Sequence, residues 1–272
     1  MRYKLIAIDL DGTLLPDGKI IPEGNIRAIE YATSKGIPVV IATGRVTTSG
    51  RAFARQLNLE TYIISSNGAR IYDIRNREII YEDGLRIEDA KAVAAYFEGF
   101  GVYYHAYVDD IMYARYMREP LLFYTEQNKK LDKDLRMDIR ICENFDQVFE
   151  ENKDKISKVM TIERDLKLIE SMRRELINNK NIVIMASHED NIEVMNHTVG
   201  KGKALMNLAN RLNVEREEVI AIGDNDNDIS MIEWAGTGIA MGNAIEEVKN
   251  AADDITQRCE DLGVAKAIYK YI

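Results

Sequence analysis

Short apolar runs, each followed by polar residues, recur along the chain. They occupy residues 4–9, 37–42, 61–65 and 219–223, with polar side chains at or just after their ends. Four to eight apolar residues closed by a turn signal are typical of a strand buried on both faces. Helical spacing of apolar residues separates the runs, for example over residues 22–35. Alternating strands and helices predict an α/β fold with a doubly wound parallel sheet, whose ligand crevice lies at the carboxyl ends of the strands.

The rhythm of strands and helices changes at about Gly84. Residues 84–195 carry an α/β pattern and apolar positions of their own, which predicts a separate inserted domain. The flanking segments, 1–83 and 196–272, then form one main domain that the insert interrupts. Within the insert, residues 131–154 carry many charges and give no clear assignment.

The insert contains a cluster of ring-bearing residues at 103–107. On a strand, alternation places Tyr103, His105 and Tyr107 on one face and Tyr104 on the other. Aromatic residues are ordinary strand formers. The sequence therefore predicts that this cluster packs, and does not predict base stacking or general-base catalysis by His105.

Composition and charge narrow the function. The chain is 46% hydrophobic and 30% charged, as in ordinary globular proteins. Its net charge of −9 argues against general nucleic-acid binding, because no basic excess offsets repulsion from phosphates. The first apolar run is interrupted by acids, and no run approaches the roughly 18 apolar residues of a membrane span, so we expect neither a signal peptide nor a membrane protein. Cys142 and Cys259 lack metal-type spacing, which predicts reduced thiols in a cytoplasmic protein.

The first strand ends in two acids. Asp9 and Asp11 stand two residues apart, and their charges repel each other unless a cation intervenes. Gly12 allows the backbone to leave the strand in a tight turn. A metal ion or a positioned lysine beside the two acids would supply such a positive charge.

Four short motifs lie at the ends of predicted strands or at the start of a helix. They are Asp9-Leu10-Asp11-Gly12-Thr13, Thr43-Gly44-Arg45, Lys201-Gly202, and Gly223-Asp224 followed by Asn227-Asp228. In this order they resemble the signatures of the haloacid dehalogenase-like superfamily of phosphotransferases, most closely its Cof-type sugar-phosphatase branch. The resemblance spans residues 9–228 and implies a Rossmann-like core with an inserted α+β cap that selects the substrate.

The resemblance also implies a reaction, the hydrolysis of a small phosphate monoester such as a sugar phosphate. Asp9 would attack phosphorus and form an aspartyl-phosphate, with Asp11 as general acid and base. Mg²⁺, which prefers oxygen ligands, would bind Asp9, the backbone carbonyl of Asp11, and Asp224. The phosphate oxygens would be held by the Leu10 amide, Thr43, Gly44, Lys201 and Asn227. Supporting or substrate-contacting roles are implied for Asp228, Arg45, Asn67 and Asn225.

The third motif departs from the family pattern. The family places Ser before Lys-Gly, whereas Gly200 stands there in this chain. Lys201 and Lys203 compete for the phosphate-binding role. Lys201 is the lysine that Gly follows, so we assign the role to Lys201 and expect Lys203 to be an exposed helix residue.

Three alternatives use related motifs. A sugar phosphomutase of the phosphomannomutase type would return the phosphoryl group to the sugar, and a non-catalytic protein would only bind a phosphorylated ligand. The older dehalogenase chemistry lacks an acid two residues after the nucleophile, so Asp11 argues against it. The presence of both Asp9 and Asp11 argues against an inactive protein. The expected partner is thus a small phosphorylated metabolite.

Overall fold

The chain divides into two compact units. The computed structural model describes residues 2–186 and 188–272. Unit 1 consists of Met1–Tyr81 and Gly200–Ile272, and unit 2 of Glu82–Val199. These limits fall within four residues of the domain boundaries predicted above.

The strands β1, β2, β3 and β12 follow the predicted apolar runs, with small differences at their ends. The first part of unit 1 contains β1 (Leu5–Ile8), α1 (Glu23–Ser34), β2 (Val39–Ala42), α2 (Thr47–Gln56), β3 (Tyr62–Ser65), β4 (Arg70–Asp73) and β5 (Glu78–Glu82). Unit 2 contains α3 (Ile87–Gly99), β6 (Tyr104–Val108), β7 (Ile111–Ala114), α4 (Glu119–Asn128), β8 (Asp138–Ile141), α5 (Phe145–Glu151), β9 (Ile156–Ile162), α6 (Leu166–Leu176), β10 (Ile182–Met185) and β11 (Asn191–Asn196). Unit 1 then resumes with α7 (Lys201–Leu212), β12 (Val219–Gly223), α8 (Ile229–Trp234), β13 (Thr237–Ala240), α9 (Glu246–Ala251), β14 (Asp254–Ile255) and α10 (Gly263–Tyr271). Among the described residues, none of the helices combines the length and the apolar character needed to cross a bilayer.

The sheet of unit 1 has the order β14-β13-β12-β1-β2-β3-β4-β5. β1 runs parallel to both neighbours, and Ile8 pairs in register with Ile222 of β12 and with Ile41 of β2. Every residue of β1 is buried, because helices cover both faces of such a sheet. The predicted α/β fold with a doubly wound parallel core is confirmed, and the carboxyl ends of β1, β2 and β12 meet at one edge.

One edge of this sheet is not parallel. β3 and β4 pair antiparallel, with Ile64 opposite Ile71. Only a short turn, Ser66–Gly68, and Ala69 connect them. A parallel pair needs a crossover of a dozen or more residues, so this connection dictates an antiparallel hairpin. The sheet is therefore parallel at its centre and antiparallel at this edge.

Unit 2 has its own sheet, with the order β10-β11-β9-β6-β7-β8. Tyr104 of β6 lies in the apolar core of the unit, which α3, α5 and α6 help to form. Tyr103, His105 and Tyr107 are not part of that core cluster, so the predicted alternation along β6 is confirmed. The highly charged stretch folds as β8 and α5. The strand β10 ends at Met185, and Ser187, up to which the apolar pattern would extend a strand, lies outside the described residues.

Hydrogen bonds join the two ends of unit 2. Asp83, near its start, accepts hydrogen bonds from the Thr198 hydroxyl at 2.8 Å and from the Asn196 amide at 2.8 Å. Asn196 Nδ2 also donates to the Gly84 carbonyl at 3.0 Å. The chain therefore enters and leaves unit 2 at the same place.

Candidate active site

Three of the predicted site residues follow the central strands of unit 1. Asp9 follows β1, Thr43 follows β2 and Asp224 follows β12. The Asp9 amide donates to the Ile222 carbonyl at 3.0 Å, and the Thr43 amide to the Ile64 carbonyl at 2.8 Å, so the ladder continues one residue past β1 and past β2. The parallel register thus fixes these residues at one edge of the sheet.

A buried network connects Lys201 to two carboxylates. Lys201 is fully buried, and its Nζ lies 2.6 Å from Asp9 Oδ1 and 2.6 Å from Asp228 Oδ1. The other oxygen of Asp228 accepts from the amides of Asp224 at 2.9 Å and Asn225 at 3.1 Å. Both carboxylate oxygens of Asp228 therefore accept hydrogen bonds, and these contacts position Lys201 and the turn that contains Asp224.

Burial shifts the titration of this network. Burial, together with the charges of Asp228 and Asp224, raises the pKa of Asp9 well above its ordinary value, although Lys201 opposes the shift. Burial raises the pKa of Asp224 to about 6, against the hydrogen bond from Thr13. Burial alone would lower the pKa of Lys201, but the charges of Asp228 and Asp9 outweigh it and the pKa is raised. Lys201 is therefore a fixed cation at neutral pH.

A glycine directly after Lys201 lets α7 bring that lysine to this position. Gly200 precedes the helix in an extended conformation. A Cβ on Gly202 would lie 2.1 Å from the Ser230 carbonyl oxygen, and the Gly202 amide donates to Ser230 Oγ at 3.1 Å. Glycine after Lys201 thus allows α7 to pack closely on α8. Lys203, expected to be exposed, is half-buried.

The carboxylates fit a divalent cation. One oxygen each of Asp9, Asp224 and Asp228 lie within 4.8 Å of one another. They bring up to three negative charges against the single charge of Lys201, and an all-oxygen donor set suits Mg²⁺. Because Asp228 uses both oxygens in hydrogen bonds, Asp9 and Asp224 are the better side-chain ligands. The carbonyl of Asp11, expected as a third ligand, is two residues from Asp9 in the same turn.

Two hydrogen bonds that the sequence analysis did not predict stabilise the turn after β1. The Thr13 hydroxyl donates to Asp224 Oδ1 at 2.5 Å, and Asn243 Nδ2 donates to the Gly12 carbonyl at 2.8 Å. Thr13 is part of the first motif and could have been found there, whereas no local signal marks Asn243. The Leu10 side chain is buried, and its carbonyl accepts the amides of residues 13–15. Its backbone amide is therefore the group that remains for the expected phosphate contact.

The Asp11 side chain is paired with Arg45. Arg45 Nε lies 2.7 Å from Asp11 Oδ2, and Arg45 Nη2 lies 2.5 Å from Asp11 Oδ1. Nη2 also donates to the Gly18 carbonyl at 2.9 Å. Half of the Asp11 side chain is exposed. The expected general acid and base is thus held in two-point contact by the arginine of the second motif.

The second motif is joined to Asn67 and Asn227. The Asn67 amide donates to the Thr43 carbonyl at 3.0 Å, and Asn227 Nδ2 donates to Asn67 Oδ1 at 2.8 Å. A Cβ on Gly44 would lie 2.7 Å from Asn67 Oδ1. Asn67 therefore orders two expected phosphate-binding segments.

Asn225 has a local role. Its side chain accepts from the Asp226 amide at 2.9 Å and caps the short turn Asp226–Asp228. Its side chain is exposed. These contacts shape the turn that carries Asp228.

Comparisons with known proteins agree with the fold and the site. The family model for haloacid dehalogenase-like hydrolases matches residues 6–268. A 5-amino-6-(5-phospho-D-ribitylamino)uracil phosphatase of Bacillus subtilis is 33% identical, over 96% of each chain. A haloacid dehalogenase-like hydrolase of Bacteroides thetaiotaomicron has a solved structure with TM-score 0.84 and 30% identity, covering 99% of this chain and 100% of that one. A subclass IIB sugar phosphatase of the same superfamily has TM-score 0.79 and 26% identity, over 99% of each chain.

The chain belongs to the haloacid dehalogenase-like hydrolases, in the Cof-type branch that its motifs predicted. It is a phosphoric monoester hydrolase, like the phosphatases it matches over nearly its whole length.

Proposed function

We propose that this chain is a Mg²⁺-dependent phosphatase that hydrolyses small phosphate monoesters through an aspartyl-phosphate on Asp9. The observation that carries the proposal is the buried contact of Asp9 with Lys201, beside the Asp224 carboxylate. A carboxylate nucleophile needs a fixed cation close by, because an arriving phosphate is itself an anion. Asp9 and Asp224 would hold Mg²⁺, with the Asp11 carbonyl.

In the first step, Asp9 attacks phosphorus. Its Oδ1 accepts a hydrogen bond from Lys201, so Oδ2 is the attacking atom. The new bond joins Asp9 Oδ2 to phosphorus while the bond to the alcohol oxygen breaks. A protonated Asp11 gives its proton to that oxygen, and the alcohol leaves.

In the second step, water hydrolyses the aspartyl-phosphate. Asp11, now a carboxylate, takes a proton from the water as its oxygen attacks phosphorus. The bond from phosphorus to Asp9 breaks, and inorganic phosphate and free Asp9 are restored. Lys201, Thr43, Gly44, Asn227 and the Leu10 amide would hold the phosphoryl oxygens in both steps. Bound Mg²⁺ supplies positive charge that offsets repulsion between the carboxylates and the phosphate.

Unit 2 is the proposed substrate-selecting cap. The B. subtilis relative is named for a phosphoribitylamino-uracil and the structural neighbour for sugar phosphates. We therefore propose a small phosphorylated metabolite with a hydroxyl-rich organic part as substrate.

Release of inorganic phosphate from a panel of metabolites tests this function. The panel holds sugar phosphates, the phosphoribitylamino-uracil, nucleotides, pyridoxal 5′-phosphate and acetyl phosphate, each with Mg²⁺ and with EDTA. We expect Mg²⁺-dependent release that is lost in Asp9→Asn. Full activity of that variant would exclude Asp9 as the nucleophile. Isomerisation of a sugar phosphate without net release would identify the mutase alternative instead.

A further inference from the structure

The side chain of Asn243 bridges two segments of unit 1. Its Nδ2 donates to the Gly12 carbonyl at 2.8 Å, and its Oδ1 accepts from the Cys259 amide at 2.8 Å. Gly12 belongs to the turn after β1, whereas Asn243 and Cys259 lie in the segments that follow β13 and β14. Because a carbonyl only accepts and an amide N–H only donates, the two partners fix the orientation of the Asn243 side chain.

Cys259 holds the next carbonyl of the same turn. Cys259 is buried, and its Sγ donates to the Thr13 carbonyl at 2.9 Å. The segments that carry Asn243 and Cys259 are packed closely, since a Cβ on Gly242 would lie 2.8 Å from the Arg258 amide nitrogen. Asn243 and Cys259 therefore form a clamp on two successive carbonyls of the turn after β1.

One carbonyl of this turn takes no part in these contacts. The Leu10 carbonyl accepts the amides of residues 13–15, and the Gly12 and Thr13 carbonyls accept hydrogen bonds from the clamp. Among the described residues, none donates a hydrogen bond to the Asp11 carbonyl. It is also the carbonyl expected to bind Mg²⁺. The clamp thus occupies the neighbouring carbonyls and leaves that of Asp11 for a cation.

The segment of Asn243 is also bound to Asp224. The Ile245 amide donates to the Asp224 carbonyl at 3.1 Å, and the Thr13 hydroxyl donates to Asp224 Oδ1 at 2.5 Å. Residues 243–245 therefore contact both the turn that contains Asp11 and the residue that follows β12. Groups that hold metal ligands from outside in this way set the orientation of the ligands.

We propose that Asn243 is a positioning residue of the metal site. Together with Cys259, it fixes the turn after β1 so that the Asp11 carbonyl stays available to a cation beside Asp224. This assignment rests on the proposed function in one respect, because it takes Mg²⁺ as the cation and Asp11 and Asp224 as two of its ligands.

Mg²⁺ binding to the protein without substrate tests this role. By isothermal titration we expect the Kd for Mg²⁺ to rise about tenfold in Asn243→Ala, as when a partner of metal ligands is removed. An affinity within about twofold of the wild type in that variant overturns the assignment.

Asn243→Asp separates the donated hydrogen bond from the rest of the side chain. It keeps the size of the side chain and an acceptor for the Cys259 amide, but it loses the donor to Gly12. Its added negative charge would by itself strengthen the binding of a cation. Weaker Mg²⁺ binding in this variant is therefore expected only if the donated bond positions the turn. Equal or tighter binding overturns the assignment.

Asn128 provides the matched control. Its Nδ2 donates to the Met137 carbonyl at 2.8 Å, and its Oδ1 accepts from the Met137 amide at 2.8 Å. These are the same two kinds of hydrogen bond, but they lie in unit 2, which contains none of the expected metal ligands. Asn128→Ala should lower Tm about as much as Asn243→Ala and leave the Kd for Mg²⁺ unchanged. An equal rise of the Kd in both variants overturns the assignment.

Cys259→Ser is the conservative variant of the second clamp residue. Serine can still donate to the Thr13 carbonyl, whereas alanine cannot. We expect the Kd for Mg²⁺ to rise about threefold in Cys259→Ala and to stay near the wild-type value in Cys259→Ser. Equal affinities in the two variants would exclude Cys259 from the clamp.

Phosphate release keeps this proposal apart from the proposed function. With the best substrate of the panel, Asn243→Ala should regain most of the wild-type kcat when Mg²⁺ is raised above its new Kd. If Asn243→Ala binds Mg²⁺ more weakly while the wild type hydrolyses nothing, the assignment stands and the proposed hydrolysis fails. If the wild type is a Mg²⁺-dependent phosphatase and Asn243→Ala binds Mg²⁺ equally well, the assignment alone fails.

Discussion

Asp11 and Arg45 show how a single pair can set the geometry of a reaction. Both carboxylate oxygens of Asp11 face the planar guanidinium of Arg45, an arrangement that a lysine cannot reproduce. In the proposed mechanism, proton transfer from Asp11 to the leaving alcohol would need one of these oxygens. Arg45 would then orient Asp11 before the reaction and give up one contact during it.

We expect Arg45→Lys to lower kcat by about tenfold and Arg45→Ala by about a hundredfold, because Asp11 then samples other rotamers. The affinity for Mg²⁺ should not change, since Arg45 holds the side chain of Asp11, whereas the proposed ligand is the Asp11 backbone carbonyl. Steady-state kinetics across a Mg²⁺ titration measures both quantities.

Arg27→Ala is the control for that experiment. Arg27 pairs with Glu23 on the surface, with both side chains more than 60% exposed. Its removal should leave kcat unchanged. Wild-type kcat in Arg45→Ala would contradict the orienting role of Arg45.

Asp228 supports both Lys201 and the Asp224 turn. Asp228→Ala leaves the Lys201 charge with one buried partner and two backbone amides without an acceptor. We expect a loss of about 3 kcal/mol in the free energy of unfolding, as for other broken buried pairs. Urea unfolding measures it, with Asp226→Ala, an exposed neighbour, as the control. A loss below that of the control would show that the network does not stabilise unit 1.

For single residues, the sequence predicts which of them belong to the candidate site better than it predicts the contacts they make. The motifs pointed to Asp9, Asp224 and Lys201, because each follows a recognisable strand or precedes a helix. The two-point contact of Asp11 with Arg45 could not be predicted, since it depends on side-chain rotamers across two loops. The ring nitrogens of His105, which have no hydrogen-bond partner among the described residues, were equally hidden, because a strand pattern shows which face a residue takes and not what surrounds it.

Among the elements, the turn after β1 depends on a glycine. Gly12 has φ of +82°, and a Cβ there would lie 2.3 Å from Asp224 Oδ2. Gly36 has a similar φ of +77°, but a Cβ there would meet nothing within 4 Å. The two positions therefore share a left-handed backbone conformation and differ in how much space surrounds the Cα atom.

We expect Gly12→Ala to abolish most activity and to weaken Mg²⁺ binding by at least about tenfold, because the new methyl group displaces Asp224. Gly36→Ala should lose only about 1 kcal/mol of stability and keep full activity. Isothermal titration with Mg²⁺ distinguishes the two. Equal Mg²⁺ affinity in both variants would exclude Asp224 as a ligand that the turn positions.

The conformation of the turn between β3 and β4 could not be predicted from the sequence. Ser66, Asn67 and Gly68 have successive φ values of +48°, +56° and +99°. An Asn-Gly pair predicts a turn, but a serine in the left-handed region is uncommon and has no sequence signal. The antiparallel pairing followed from this conformation and was not foreseen. The very short β14 was also missed, because two residues carry no periodicity.

For the whole molecule, each unit has a core of its own, so the stability of each can be perturbed separately. In unit 2, burial keeps His105 neutral, with a smaller effect from Lys158, whose charge Glu193 balances. The ring centres of Tyr103 and Tyr107 lie 5.6 Å and 5.3 Å from that of His105. The folded pKa of His105 is about 3, and the unfolded value is 6.5. Between these two pH values His105 is protonated in the unfolded chain and neutral in the folded unit. The free energy of unfolding therefore falls as the pH decreases from 6.5 towards 3.

We expect unit 2 to lose about 2 kcal/mol more between pH 7.5 and pH 5 in the wild type than in His105→Gln, which does not titrate. Urea unfolding, followed by the methyl signal of Met160 opposite His105, measures the difference. Identical pH dependence in the two proteins would show that His105 is protonated in the folded state.

The overall architecture was easier to predict from the sequence than the single elements or the contacts between residues. Apolar runs that end in polar residues defined the central strands, because burial on both faces leaves little choice of residue. The inserted domain was predicted because the pattern of strands and helices changes at about Gly84. Its charged stretch was not readable, since β8 is an edge strand with exposed side chains and α5 is only seven residues long.

The meeting of the ends of unit 2 has an evolutionary consequence. Because Asp83 ties the incoming segment to Thr198 and Asn196, the unit occupies one gap in the chain of unit 1, after its edge strand β5. A different insert with equally close ends can be grafted at that gap without interrupting a central strand. With unit 2 as the proposed substrate-selecting cap, such a cassette would let the recognition of new metabolites evolve while the proposed chemistry of unit 1 stays untouched.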